Sequence, residues 1–285
     1  MQIQRAFKQV DVFTQVPLLG NPVAVVLDGA GLSDADMARF ANWTNLSETT
    51  FVTPPTQDGA DYAVRIFTPQ SELPFAGHPT LGTAFAVLEA DLAQAKNGKL
   101  VQQCAVGLVE LAVPENWRTA GLSFRLPHYT QSAAPDAHLV SAALGGDAML
   151  TALPVVIDVG PHWVIAQIES AQAVMDLAPD LAAMAAYNLA THTTGVTVFA
   201  QDGDGLVVRS FAPTDGLIED PVCGSGNGAV AAYRLLRGVI GDGSTYIARQ
   251  GTAMGRDGYV HVRIEGSNIH IGGACVTCVD GSVLL

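Results

Sequence analysis

Three observations on the 285-residue chain predict an α+β fold of two similar lobes, each with one long buried helix wrapped by strands, and a cleft between them. The first is an internal duplication: VRIFTP (64–69) returns as VRSFAP (208–213), an offset of 144, close to half the length. With that offset held, residues 36–69 lie over 180–213 without a gap, and 14 of 34 positions are identical. Chance would give about two. The second is that both copies run into a Gly-containing turn and then an Ala-rich apolar helix, with LPFAGHP (73–79) over DPVCGSG (220–226) at an offset of 147. The third is a set of short β-branched segments bounded by Gly turns. A single long duplication implies two lobes rather than a solenoid, which needs several short units.

The elements follow in order. Ser33 with Asp36 three residues on predicts a helix running through Asn42, and Thr49–Thr53 and Tyr62–Phe67 predict strands. Pro79 suits the first turn of a helix with Leu81, Ala84, Phe85 and Leu88 on one face. Residues 126–135, with Pro, His, Gln and Ser, read as a linker between lobes 1–125 and 126–285, with the option that the final strand returns to the first lobe. The second long helix is expected from Asn227 through Leu236, with Gly238 as its stop, and strand pairs across 258–273 close the chain.

With 49% hydrophobic residues, a chain of this length buries enough surface to fold without staples. Its net charge of −13 repels phosphate backbones and anionic lipid heads, so nucleic acid and membrane surface are excluded as partners. Charged residues make up only 14%, against about a quarter in an average domain, which points to a covered face and a homodimer. The N-terminal segment lacks the apolar core of a signal peptide, and no stretch reaches the ~20 apolar residues of a membrane helix. The expected location is cytoplasmic, with the four cysteines as free thiols.

Positions where the copies differ are those that symmetry does not explain. Glu48 lies over His192, Leu73 over Asp220, Ala76 over Cys223 and His78 over Ser225. Glu48, His78 and Asp220 are thus three ionisable groups beside the repeated turns. A carboxylate with an imidazole suits the removal and return of a proton, because partial burial brings a Glu toward neutrality and His starts near it. Each also has a structural reading: a solvated Glu at a helix-to-strand junction, a capping His and a turn-forming Asp. The Gly turns would aim backbone N–H groups and the positive helix ends at the cleft, so the expected guest is a carboxylate.

NLSETTFV (45–52), FAGHPTLG (75–82) and EDPVCGSGNGA (219–229) resemble the signature segments of the PhzF-like phenazine biosynthesis family, and GNPVAVV (20–26) and GGACVTCVDGSV (272–283) are also similar. The resemblance implies a diaminopimelate epimerase-like fold in which each lobe wraps a barrel-like sheet around a helix. It also implies a cofactor-free isomerase. Glu48 matches the family's proton-carrying glutamate, His78 and Asp220 match its assisting residues, and Gly77, Ser225 and Gly226 match the turns that hold substrate polar groups. Two residues depart from the pattern: Cys223 stands where Thr is more usual, and Asn227 where the phenazine enzyme has His.

Cys223 aligns with one catalytic cysteine of the related epimerases and racemases, and Ala76 occupies the other position. A thiol at a helix N-terminus is expected to have a lowered pKa, which makes Cys223 either a base or substrate contact, or a small side chain filling the turn. Cys275 and Cys278 form half a metal knuckle with no second pair, and GSGNG (224–228) lacks a Walker lysine, so neither a metal nor a nucleotide is expected. The leading reading is an isomerase moving a proton between carbons of a small carboxylated metabolite. The alternatives are a racemase using Cys223 with Glu48 or His78, and a non-catalytic metabolite-binding protein.

Overall fold

A computed structural model describes residues 3–132, 136–146 and 150–285, and the chain is α+β. It divides into two units, Met1–Phe124 with Gly272–Leu285, and Arg125–Ile271. Strands β1 (Gln4–Val12), β2 (Asn21–Val26), β3 (Glu48–Thr53), β4 (Tyr62–Phe67), β5 (Glu72–Leu73), β6 (Lys99–Cys104), β7 (Gly107–Ala112) and β8 (Leu122–Arg125) belong to the first unit, with helices α1 (Asp34–Thr44), α2 (Gly77–Glu89) and α3 (Trp117–Ala120). The second carries β9 (Thr130–Ser132), α4 (Ala137–Ala143), β10 (Val155–Asp158), β11 (His162–Gln167), α5 (Ala171–Met175) and α6 (Leu181–Thr191). It continues through β12 (Gly195–Asp202), β13 (Gly205–Ala212), β14 (Leu217–Asp220), α7 (Gly224–Leu236), β15 (Thr245–Gln250), β16 (Gly258–Glu265) and β17 (Asn268–Gly273). The last strand, β18 (Cys275–Leu284), pairs antiparallel with β1 of the first unit.

The two units share one strand plan. In the first, β2 lies parallel to β3, β3 antiparallel to β4, β4 parallel to β6, and β6 antiparallel to β7. In the second, β11, β12, β13, β15 and β16 repeat that sequence of senses. A parallel neighbour demands a crossover, and in both units helices fill it.

Each unit keeps one helix almost wholly inside. Every residue of α2 from His78 to Leu88 is buried, and α2 touches β1, β2, β3, β6 and β18. A helix buried all round must be largely apolar, which Leu, Ala, Phe and Val provide, and its buried Thr80 and Thr83 are hydrogen-bonded to Gln102 and Thr50. α7 is its counterpart and touches β10, β11, β12 and β16. It starts at Gly224, three residues before the expected Asn227, because the Sγ of Cys223 caps it by accepting the Gly226 N–H. It stops as expected, with Gly238 at a left-handed φ of 69° and its N–H returned to Leu235 O. Part of the expected linker is instead strand: β9 pairs with β10, while 133–135 lie outside the described residues. Among the described residues no helix is long and apolar enough to cross a membrane.

The structure corrects the register of the duplication. α1 is capped by Ser33 and ends at a left-handed Asn45 (φ 53°), whereas α6 is capped by Asp180 and ends at a left-handed His192 (φ 53°), so both ends differ by 147. The buried faces agree: Met37 with Met184 and Phe40 with Tyr187 hold the same core positions. In the following hairpins Thr53 pairs Ala63 and Ala200 pairs Val207, which makes the second connection three residues shorter and returns the offset to 144 for the VRxF strands. Glu48 therefore corresponds to Gly195, not to His192. Both open the strand after the helix, paired in register with Val23 and Trp163.

Candidate active site

In the first unit the turn after α1 delivers Glu48 to the start of β3, and the start of α2 delivers His78. Glu48 Oε2 lies 3.4 Å from His78 Nε2. The histidine side chain is 6% exposed and the glutamate 15%, so the carboxylate sits in a largely dry setting. Burial pushes its pKa up to about 7, against a weaker downward pull from a Ser47 hydrogen bond. On the other edge of the imidazole, Asn21 Nδ2 lies 3.5 Å from Nδ1. An amide Nδ2 only donates, so in this contact the ring Nδ1 is the acceptor and Nε2 is the ring nitrogen turned toward the carboxylate.

Gly77 opens α2, and a Cβ there would come within 3.0 Å of the Phe124 ring, which itself packs edge-on against Phe75. A side chain at residue 77 would thus press on this aromatic pair and require the Phe124 ring to give way. Ala76, the N-cap, provides no side-chain hydrogen bond, so the first amides of α2 lack the cap that α7 receives from Cys223.

In the second unit Asp220, Cys223, Ser225 and Gly226 come together at the start of α7. Asp220 is buried, and its Oδ1 accepts the Val222 N–H at 3.1 Å, the turn-forming contact available to an Asp before Pro. A polar network behind it fixes this turn. Gln250 accepts from Cys223 N–H at 3.1 Å and from Asn227 Nδ2 at 2.8 Å, and its own amide donates to Asp220 O at 3.0 Å. Asn227, a departure from the family pattern in the sequence, braces the turn from inside. Gln250 carried no sequence signal, because its strand alternates as any half-buried strand does.

The thiol behaves opposite to expectation. Burial, with the Asp220 carboxylate beside it, pushes the Cys223 pKa well up, and the Ser225 and Gly226 hydrogen bonds do not offset this. Desolvation outweighs the helix terminus, so Cys223 is a protonated thiol. Gly226 has a packing reason: a Cβ there would lie 2.7 Å from Ser210 Oγ and 2.8 Å from Thr197 Oγ1. Ser225 Oγ accepts the indole N–H of Trp163 at 3.0 Å, a contact not read from the sequence. Among the described residues no group of three His, Cys, Asp or Glu side chains is arranged to hold a metal ion.

Comparison with known proteins places the chain among relatives. The family model described as "Phenazine biosynthesis-like protein" matches residues 10–281. A Schizosaccharomyces pombe protein named "Antisense-enhancing sequence 1" is 41% identical, with 98% of each chain covered. The "Trans-2,3-dihydro-3-hydroxyanthranilate isomerase" of Pseudomonas fluorescens is 34% identical over 97% of this chain and 98% of its own. Among solved structures, a Bacillus anthracis phenazine biosynthesis protein of the PhzF family superposes with a TM-score of 0.86 at 25% identity, covering 99% of this chain and 100% of that one. Several further relatives are named isomerases. With the family model spanning both units and the sequence likeness spanning both signature turns, the chain belongs to the PhzC-PhzF family of phenazine biosynthesis-like proteins.

Proposed function

We propose that the chain is a cofactor-independent isomerase that moves a proton between two carbons of a small carboxylated metabolite, with Glu48 as the group that takes and returns it. The observation that carries this reading is the Glu48 carboxyl itself, drawn up to about 7 by burial and faced by His78 Nε2 at 3.4 Å. A base with that pKa is ionised enough to accept a proton at neutral pH and acidic enough to give it back. His78, whose Nε2 lies 3.4 Å from the carboxylate, assists it. Asp220 tunes the α7 turn, and Gly77, Ser225 and Gly226 hold substrate polar groups. The names of the relatives support an isomerisation, and the carboxylated substrate named for the Pseudomonas fluorescens protein fits positive helix ends.

The finer architecture of the proposal is a barrel-like sheet around α2 and another around α7, supported by strands that touch each helix from several sides. The working form is a homodimer, supported by the low proportion of charged residues. Sedimentation at micromolar concentration should give twice the chain mass.

The test is proton-for-deuterium exchange in D₂O, followed by NMR on trans-2,3-dihydro-3-hydroxyanthranilate and a panel of cyclic and amino carboxylic acids, with EDTA present. Enzyme-dependent exchange at a substrate C–H that survives the chelator is the expected result. A chain that binds members of the panel and exchanges none of them is a binding protein, and activity recovered only with added zinc or magnesium would call for a metal.

The racemase alternative requires Cys223 as a working base, and its raised pKa argues against that. Cys223→Ser should retain activity within about tenfold and stability within ~1 kcal/mol, because a serine also caps a helix. Iodoacetamide should label the buried thiol slowly, with no protection by substrate. Loss of activity by orders of magnitude in a folded Cys223→Ser protein would favour stereoinversion instead.

A further inference from the structure

The corrected duplication exposes an exchange of partners. Ser225 in α7 occupies the place of His78 in α2, each the second residue after the N-cap. The residue that faces His78 is Glu48, and its counterpart, Gly195, has no side chain. A Cβ on Gly195 would meet the Phe211 carbonyl oxygen at 2.1 Å and Trp163 Cζ3 at 2.7 Å, so the backbone of the neighbouring strand and the Trp163 ring together fill the space a side chain there would enter. Trp163 stands beside Gly195 in the parallel β11–β12 pair, is 3% exposed, and gives its Nε1–H to Ser225 Oγ at 3.0 Å.

The exchange reverses the polarity of the contact. A carboxylate accepts, whereas an indole N–H only donates, so Ser225 Oγ must be the acceptor toward Trp163. Among the described residues its own proton then has Cys223 Sγ at 3.5 Å, a weak acceptor, as its partner. An oxygen on a ligand is a far better one.

We propose that Trp163 is a positioning residue that commits the Ser225 hydroxyl to donate to a carboxylate oxygen of the substrate. This rests on the reading of the α7 turn as substrate-holding, but not on any proton being moved. It selects an acceptor oxygen at that end of the ligand and discriminates against an ammonium group, which can only donate and would have to compete with the indole N–H for the hydroxyl's lone pairs.

The experiment measures anthranilate binding by calorimetry to wild type, Trp163→Phe, Ser225→Ala and the double variant, with thermal melts confirming that each is folded. Wild type should bind, Ser225→Ala should weaken binding about tenfold, Trp163→Phe about fivefold, and the double variant no more than Ser225→Ala alone, since the indole acts only through the hydroxyl. In ¹H–¹⁵N spectra the indole resonance lost in Trp163→Phe should shift on saturation of wild type and stay fixed in Ser225→Ala, a response that a merely space-filling ring does not give. No binding to wild type, equal affinity in folded Trp163→Phe, or additive losses in the double variant would overturn the proposal. Binding with this pattern but no deuterium exchange would instead overturn the isomerase reading and leave this one standing.

Discussion

Glu48→Gln should abolish turnover and at the same time stabilise the protein. The amide keeps the shape of the carboxyl but has no basicity, so kcat should fall by ~10²-fold or more while substrate still binds. The stability change follows from linkage. The native carboxyl has its pKa raised from an ordinary 4.5 to about 7, so between those values the native state holds a proton that the unfolded chain has released. The fold therefore loses stability as pH rises through that window, and the loss is complete above about pH 7. It amounts to on the order of 3 kcal/mol. Glutamine is neutral throughout, so the variant should melt higher than wild type at pH 8 and nearly level with it at pH 4, as read by calorimetry at both. Normal turnover, or no gain in stability at pH 8, would count against a buried base.

Arg209→Ala should destabilise the second unit far more than Arg65→Ala destabilises the first, although the two arginines occupy the same place in the repeated VRxF motif. Arg209 pairs with Glu219 through two parallel bonds of 3.0 and 2.8 Å, and both side chains are under a tenth exposed. Its Nη1 also donates to the carbonyls of Val174 and Leu177 at 3.1 and 2.8 Å, closing the end of α5. Removing it leaves a buried carboxylate and orphaned carbonyls, a loss of about 3–5 kcal/mol. Arg65 makes a similar fork to Glu72 and reaches Asp34, but it is 30% exposed and Asp34 is 84% exposed. Water replaces those contacts, so its loss should cost about 1 kcal/mol. Denaturant unfolding of both variants measures the contrast, and equal effects would show that burial does not decide it.

The contrast illustrates how far the sequence could be read. VRIFTP and VRSFAP announce the duplication, and the glycine turns announce α2 and α7, because turn chemistry and apolar runs are local. The register of the first half was misread by three residues because identities around the hairpin held the alignment at 144, whereas α1 and α6 are capped by different residues, Ser33 and Asp180. Glu48 and His78 were legible as asymmetric, and Glu48 remains so against Gly195. The raised Cys223 pKa was not legible, since helix-terminus chemistry is local but desolvation depends on what folds over the thiol. Trp163 was hidden for a related reason. It lies in an apolar strand, and its role emerges only when the residue beside it is known to be a glycine that stands where Glu48 stands.

The central claim is that the Glu48 carboxyl is a base poised near neutrality by burial beside His78. Titration of the glutamate side-chain ¹³Cδ resonances, with the Glu48 signal identified by its absence in Glu48→Gln, tests this without needing a substrate. A midpoint near pH 7 is the predicted result. A midpoint near the ordinary 4.5 would show a solvated carboxylate and contradict it.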